Sequence, residues 1–263
     1  MSDLSDAGPP QGASAPTGGS AGARAPSVGV FLPSGTVYGT LLNFRGEVDA
    51  MAGQMNQPPY QAAPKAPVLY VKTANTWSAS GASIALPAHV PQVEVGASIA
   101  MVMGEAGQVA GYVLMNDLSI PHASFFRPPV KYKCLDGFLG VGSQLTAPGQ
   151  AGDPSQFQLE LRINGALRQS VNFAHLVRNA SQLLADVGEF MTLRAGDVLM
   201  LGCDVGRPLA KVGDRIDISA PGFATLSNTL VAEAAMSAAG PPQGAQTPSG
   251  GSAVHEVTSV GAP

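Results

Sequence analysis

The densest group of polar side chains in this sequence follows a short apolar run that is typical of a buried strand. The group contains two acids, Asp117 and Asp136, and three closely spaced cations: Arg127, Lys131 and Lys133. The whole chain has only 14 Lys and Arg residues, so this segment is a local concentration of positive charge. Polar residues on a loop that follows a rigid strand lie where functional sites tend to be found.

Two interpretations of this segment are open from the residues alone. Arg and Lys side chains bind carboxylate groups through charge-assisted hydrogen bonds, so the cations could hold an anionic substrate. Alternatively, the segment is a solvated basic loop whose cations simply pair with Asp117 and Asp136.

Other kinds of site are weakly supported. The four His residues show no metal-ligand spacing, and Cys134 and Cys203 have no CxxC partner, so a zinc site is not predicted. The sequence contains no GxGxxG, GxSxG or GxxxxGK[ST] motif, so neither a nucleotide-binding loop nor a nucleophile elbow is predicted.

Composition and charge restrict the class of protein further. The 263 residues include 32 Gly and 22 Pro, too many for a helical bundle. A net charge of −4 argues against a general nucleic-acid-binding protein, which needs a basic face. The sequence contains no run of about 18 apolar residues, so no membrane span is predicted. The amino terminus lacks the pattern of a secretory signal. We therefore expect a cytoplasmic protein that binds neither nucleic acid nor membrane.

The elements that must position the polar group lie between two low-complexity tails. Residues 1–27 and 236–263 are rich in Ala, Gly, Pro and Ser and cannot bury a core, so we expect both to be disordered. Residues 28–235 form one predicted domain of short strands, including a hairpin at Asn164-Gly165. The pattern also predicts one long helix, capped by Asn172 and extending to Phe190, and a weaker helix over Gly46–Gln54. The predicted fold class is therefore α+β and β-rich.

Several segments of this domain together resemble the fumarylacetoacetate hydrolase family. They cover nearly all of the predicted domain, and the family resemblance rests on their joint occurrence: YGTLLNFRGEVDAM, PPYQAAPKAPVLYVKTANTW, VAGYVLMNDLS, FFRPPVKYKCLDGFLGVG and EFMTLRAGDVLMLG. The stretches SFFRPPVKYKCLDGF and RNASQLLADVGEFMTLRAGD more narrowly resemble one branch. That branch comprises the amino-terminal halves, or first subunits, of the bifunctional isomerase/decarboxylases of 4-hydroxyphenylacetate (homoprotocatechuate) degradation.

The family resemblance implies a mixed β-sandwich roll and a divalent metal, usually Mg or Mn. Three carboxylates hold this metal in the family, two from a Glu-x-Glu on a strand and one from the Asp of the GY-containing segment. The metal chelates a 2-oxo acid, and its charge stabilises the enolate that forms when a C–C bond breaks or a proton moves.

The resemblance also implies that this chain departs from the metal-binding pattern. The two Glu positions fall at Gly96 and Ser98, which leaves Asp117 as the surviving ligand position. Glu94 lies on the same face of that strand and is the candidate for a displaced ligand. One carboxylate cannot hold a catalytic divalent metal at useful affinity, so the resemblance implies that a homologous second subunit holds the metal.

Other family positions are retained or replaced in the same comparison. Lys133 matches the family lysine and Asp136 the acid that follows it. The family's Gly-Thr-Pro segment becomes Gly202-Cys203-Asp204, and the His of the family's lid falls at Glu47.

The resemblance thus implies a subunit of an isomerase/decarboxylase in aromatic catabolism. Its implied substrates are small anionic 2-oxo acids, 2-hydroxyhepta-2,4-diene-1,7-dioate and 5-oxopent-3-ene-1,2,5-tricarboxylate. If the chain has its own site, Asp117 and Lys133 are the expected catalytic residues, while Arg127, Lys131 and Asp136 are expected to bind substrate. The alternative is a catalytically silent family member, in a hetero-oligomer with a metal-binding homologue or in a homodimer. A weaker third reading is a hydrolase or hydratase of another dioxo acid.

Overall fold

The computed structural model describes residues 30–122 and 129–234, so the two predicted tails and Arg127 lie outside the described residues. The described residues form two β-sheets with few helices, which confirms the β-rich fold class. The helices are α1 (Arg45–Met55), α2 (Val130–Lys133), α3 (Pro148–Ala151) and α4 (Ala180–Gly188). The strands, in chain order, are β1 (Val37–Leu41), β2 (Val68–Lys72), β3 (Trp77–Ala79), β4 (Ser83–Leu86), β5 (Val93–Met103), β6 (Val109–Ser119), β7 (Leu139–Val141), β8 (Gln158–Ile163), β9 (Ala166–Asn172), β10 (Val198–Met200), β11 (Leu209–Ala210), β12 (Arg215–Ser219) and β13 (Leu226–Ala232).

The larger sheet is curled because its two outer strands are neighbours along the chain. Its strand order is β2-β1-β10-β5-β6-β7-β3, with β11 paired to β5. Seven flat strands would hold the outer two about 29 Å apart. Residues 73–76, which connect β2 to β3, span at most about 18 Å. The sheet therefore rolls up until β2 and β3 approach each other.

The two faces of this roll bury different sets of side chains. One apolar cluster includes Ala100, Val102, Met115 and Met200, and lines the concave inside. Because side chains alternate along a strand, the intervening residues of β5 face outward, and they join the core against the second sheet. The charged group described below lies at one end of the inside face.

The second sheet has the strand order β4-β13-β12-β8-β9 and packs on the outside of the roll. The predicted hairpin is confirmed: β8 pairs with β9 across Asn164-Gly165. Both turn residues have positive φ, 52° and 79°, as a two-residue hairpin turn requires.

Helix α1 confirms the weaker predicted helix, whereas the long predicted helix was wrong at its beginning. Asn172 does cap a helical turn, because its side chain accepts a hydrogen bond from the Ala174 N–H, but that turn ends at His175. Helix α4 begins only at Ala180, with Asn179 as its cap. The predicted apolar stripe merged two separate elements. None of the helices in the described residues is long and apolar enough to cross a membrane.

Candidate functional site

The candidate site is built around Asp117, whose side chain lies near the carboxyl end of β6 on the inside of the roll. Its side chain is 1% exposed. The Lys133 ammonium donates a hydrogen bond to Oδ2 at 2.7 Å, and the Tyr70 hydroxyl donates to the same oxygen. The Lys72 ammonium lies 2.9 Å from Oδ1. One buried carboxylate is therefore enclosed by two cations and a phenol.

The local sequence explains how these groups meet. Tyr70 and Lys72 are two residues apart on β2, so both side chains lie on the inside face. The Tyr70 ring occupies the space above Gly39 on β1, where a Cβ would lie 2.0 Å from a ring carbon. Lys133 ends the short helix α2, and its ammonium lies 4.6 Å from the centre of the Tyr70 ring.

Electrostatics fix the protonation states of this group. Burial alone would raise the pKa of Asp117, but the neighbouring Lys133 and Lys72 ammonium groups outweigh burial and hold that pKa well below its usual range. Burial and the adjacent Asp117 carboxylate raise the pKa of Tyr70, so the phenol stays neutral and donates its proton. Burial, reinforced by Asp117, also raises the pKa of the nearby Cys203 thiol to about 12, so it too is neutral.

The two positions where the family resemblance places Glu residues have other uses here. Gly96 lies opposite Asp117 in the β5–β6 pair. A Cβ at Gly96 would lie 2.8 Å from Cys203 Sγ and 2.9 Å from the Asp117 carbonyl oxygen. Ser98 is buried and donates a 2.6 Å hydrogen bond to the Gly202 carbonyl. Gly96 therefore has no room for a carboxylate side chain, and Ser98 uses its hydroxyl in a backbone hydrogen bond.

A divalent metal does not fit these residues. Both oxygens of Asp117 already face cations, and a metal ion would have to compete with two ammonium groups for them. Within residues 30–122 and 129–234, no three His, Cys, Asp or Glu side chains come together as a metal site. The resemblance to metal-binding family members therefore extends to the fold around the site and not to the ligands.

A second charged group lies in an adjacent cleft of about 240 Å³. Arg207 forms an ion pair with Glu47 of α1, and its guanidinium lies 3.8 Å from a Glu94 oxygen. Glu94 therefore contacts Arg207 and not Asp117, so it is not placed as a displaced metal ligand. His122 also lines this cleft, with its ring stacked on Tyr132.

The other sequence-predicted residues lie apart from Asp117. Asp136 is exposed and accepts a 2.6 Å hydrogen bond from the Asn75 side chain. Lys131 is exposed on α2. Of the predicted cations that the structure describes, only Lys133 contacts Asp117.

Sequence reasoning missed Tyr70, Lys72 and Arg207. A usable signal existed for the first two, because a Tyr and a Lys at alternate positions of an apolar strand must share one face. Arg207 lies in a loop between Gly206 and Pro208 and offered no such pattern.

Comparison with known proteins identifies relatives of this chain. The family model described as fumarylacetoacetate (FAA) hydrolase C-terminal matches residues 36–231. The 4-hydroxyphenylacetate degradation bifunctional isomerase/decarboxylase of Salmonella dublin is 38% identical over 209 residues. That alignment covers 76% of this chain and 48% of the relative, so the chain spans about half the relative's length.

Solved structures share the fold. The 5-carboxymethyl-2-hydroxymuconate delta-isomerase of Mycobacterium smegmatis is 25% identical with a TM-score of 0.62, over 75% of this chain and 79% of that chain. The fumarylpyruvate hydrolase of Pseudomonas aeruginosa, solved in complex with Mn2+ and pyruvate, has a TM-score of 0.64 at 21% identity, over 76% of this chain and 90% of that one. The latter likeness shows the fold alone. The expected β-sandwich roll is thereby confirmed.

Proposed function

Because this chain belongs to the fumarylacetoacetate hydrolase family, we propose that it is the metal-free subunit of an isomerase/decarboxylase in 4-hydroxyphenylacetate catabolism. The proposed substrates are 2-hydroxyhepta-2,4-diene-1,7-dioate, whose double bond migrates, and 5-oxopent-3-ene-1,2,5-tricarboxylate, which loses a carboxyl group. The bifunctional relatives support this choice of reaction. They are 35–38% identical to this chain over alignments that cover about half of each relative's length. The proposed compartment is the cytoplasm.

The observation that carries the proposal is that the Asp117 carboxylate is buried and fully paired with cations. Its carboxylate is neutralised by Lys72 and Lys133 and is 1% exposed, so it neither binds a metal nor accepts a proton from a substrate. The metal-dependent chemistry is therefore assigned to a homologous subunit, with Mg or Mn held there. Of the two roles that the sequence left open, this geometry favours the silent structural partner.

The competing possibility is that this chain helps to bind substrate through cations that do not pair with Asp117. Lys131 is exposed, and Arg127 belongs to the same cation-rich segment. If this chain contributed to substrate binding, these cations would hold a substrate carboxylate at the surface of the complex. Asp136, which is bonded to Asn75, would then set the conformation of that segment.

The experiment is to produce this chain with a family member from the same genome that retains the Glu-x-Glu pair. Activity on both substrates and bound metal are measured for each chain and for the mixture. We expect a stable complex, with metal and activity that depend on the partner's Glu pair. For the isolated chain, we expect no Mg or Mn site tighter than roughly millimolar, because too few hard oxygen ligands remain.

Matched variants distinguish the two roles. Arg127→Ala and Lys131→Ala are compared with Lys211→Ala, an exposed lysine elsewhere. For a silent subunit, all three leave kcat/KM of the complex unchanged. A loss of about tenfold or more in the first two alone would show a substrate-binding role. Activity of the isolated chain with Mg or Mn would contradict the proposal.

A further inference from the structure

The most unusual buried charge in this structure is the ammonium of Lys72, at the end of β2. Its side chain is fully buried and surrounded by four oxygens within 3.2 Å. Three are backbone carbonyls, of Leu118, Lys133 and Phe138, and the fourth is Asp117 Oδ1. We call these four atoms the oxygen cage.

The cage has the composition of a cation site. All four atoms are acceptors, and the three carbonyls accept the three N–H donors that a protonated lysine carries. Burial lowers the pKa of Lys72, while the Asp117 carboxylate opposes that shift. A neutral amine has only two N–H donors, so it would leave two of the four oxygens without a proton and direct its lone pair at an acceptor; the cage therefore favours the charged form. The lysine supplies a positive charge where other proteins bind a free ion.

The cage also connects β2 to segments of the chain with which β2 does not pair. Lys72 ends an outer strand of the curled sheet, and the chain continues through residues 73–76 to β3 at the opposite edge. The three carbonyls belong to β6, to the last residue of α2 and to the residue before β7. The ammonium therefore fastens one edge of the roll to the opposite side. The last carbonyls of a helix lack donors within it, so the Lys72 ammonium supplies the donor that the Lys133 carbonyl would otherwise lack.

We propose that Lys72 is a tethered cation that closes the roll and positions the Asp117 group. Its ammonium fixes the carbonyl of Lys133 and one oxygen of Asp117, so both partners of the buried ion pair are held by the same atom. When the side chain is truncated, the cage becomes a binding site for a small free ammonium compound. The role of Lys72 and the binding of a free ammonium compound both concern the oxygen cage, so neither depends on the proposed function.

The test is chemical rescue of the Lys72→Ala variant of the full chain. We expect its Tm to lie roughly 10 °C below that of the unmodified protein, because Asp117 loses a buried partner. Propylammonium at about 100 mM should then raise the Tm of the variant by about 3 °C more than the same concentration of tetramethylammonium. Tetramethylammonium has the same charge but no N–H donor, and it controls for ionic strength.

Two further variants make the rescue specific. Lys72→Met fills the space of the lysine stem without a donor, so we expect a similar loss of Tm and no rescue. Lys211→Ala removes an exposed lysine and should neither lose Tm nor respond to propylammonium. Equal rescue by tetramethylammonium, or equal rescue of Lys72→Met, would overturn the proposal. So would a Lys72→Met protein that melts at the temperature of the unmodified chain.

A measurement on the unmodified protein covers the case in which Lys72→Ala does not fold. An ammonium whose three protons are hydrogen-bonded and buried exchanges them slowly with water. We therefore expect a resolved 15N–1H correlation for the Lys72 side chain at pH 7 and 25 °C, where exposed lysines give none. Fast exchange at Lys72 would contradict the oxygen cage and overturn the proposal.

Discussion

The Asp117 group and the Arg207 cleft are two charged clusters that differ in their access to solvent. Around Asp117, one carboxylate faces two ammonium groups and a phenol, and every member is buried. Around Arg207, one guanidinium faces Glu47 and Glu94, and the cluster lines an open cleft. Ion pairs are thus part of the buried interior in one region and line a cleft in the other.

The two acids at the centre of these clusters have pKa values shifted in opposite directions. Burial would raise the pKa of Asp117, but its two cationic neighbours hold that pKa far below the usual carboxyl value. For Glu47, burial raises the pKa, and the neighbouring Arg207 only partly offsets the rise. The charged form is therefore stabilising at Asp117 and costly at Glu47, and variants of the two acids should differ in sign.

The largest effect is expected from Asp117→Asn. Removing this charge leaves Lys72 and Lys133 buried without a counterion, so the free energy of unfolding should fall by about 3–5 kcal/mol. Urea denaturation at pH 7 measures the change. Asp186→Asn is the control, because Asp186 pairs with Arg178 nearer the surface and should cost far less. A loss at Asp117 no larger than at Asp186 would show that the buried group does not stabilise the fold.

The pH dependence of the wild type follows from the same carboxylate. A depressed native-state pKa means that the unfolded state binds the proton more tightly. The stability contributed by Asp117 is therefore complete above its ordinary pKa of 3.8 and is lost as pH falls below that value.

Lys133→Met should have the next largest effect. Asp117 keeps Lys72 and Tyr70 in this variant, so the loss should be about 2–3 kcal/mol, below that of Asp117→Asn. The matched control is Lys131→Met, an exposed lysine on the same helix, with an expected change within about 0.5 kcal/mol. Unfolding is compared with the activity of the two-subunit complex. A drop in kcat/KM of tenfold or more at unchanged Tm would instead place Lys133 in a substrate site.

Gly96→Ala tests whether the family's first Glu position can accept any side chain. The added Cβ would meet Cys203 Sγ at 2.8 Å, so we expect a loss of about 1–3 kcal/mol in unfolding free energy. The Cys203→Ala background removes that sulfur and should reduce the loss. Gly53→Ala is the control, because Gly53 lies in α1 with open space around it. If Gly96→Ala were neutral, the contacts of a Cβ at this position would not be what excludes the family's Glu.

The smallest effect, and the one of opposite sign, is expected from Glu47→Gln. A raised native-state pKa means that the fold favours ionised Glu47, relative to its neutral form, less than the unfolded chain does. The Gln variant, which still accepts from the Leu42 N–H, should therefore unfold at pH 7 with a free energy equal to that of wild type or up to about 1 kcal/mol higher.

Acidification sharpens this expectation. As pH falls through the raised pKa toward 4.5, wild-type Glu47 takes up a proton on the folded side, and the difference from Glu47→Gln should shrink. Urea unfolding at pH 7, 6 and 5 follows the trend. A loss above about 2 kcal/mol at pH 7 would show that the Glu47–Arg207 pair is as stabilising as the Asp117 group.

Much of the fold and part of the site could be predicted from the sequence. Alternating apolar residues predicted the strands and the Asn164-Gly165 hairpin, because side-chain period and turn chemistry are local properties. The Gly96 and Ser98 replacements predicted the missing carboxylates, and the structure adds that Gly96 has no room for one while the Ser98 hydroxyl bonds the Gly202 carbonyl.

Tertiary structure decided how the charges are paired. The sequence left open whether Lys133 pairs with Asp117, with Asp136 or with a substrate. Both acids are near Lys133 in the chain, and a lysine can equally bind a substrate carboxylate. The curl of the sheet brings β2 across the roll, so Lys72 and Tyr70 reach Asp117 from more than forty residues away. Asp136 pairs with Asn75 instead. Residue types and spacing determine which strands form and which ligands are absent, whereas closure of the roll determines which charges meet, because that pairing depends on contacts distant in the chain.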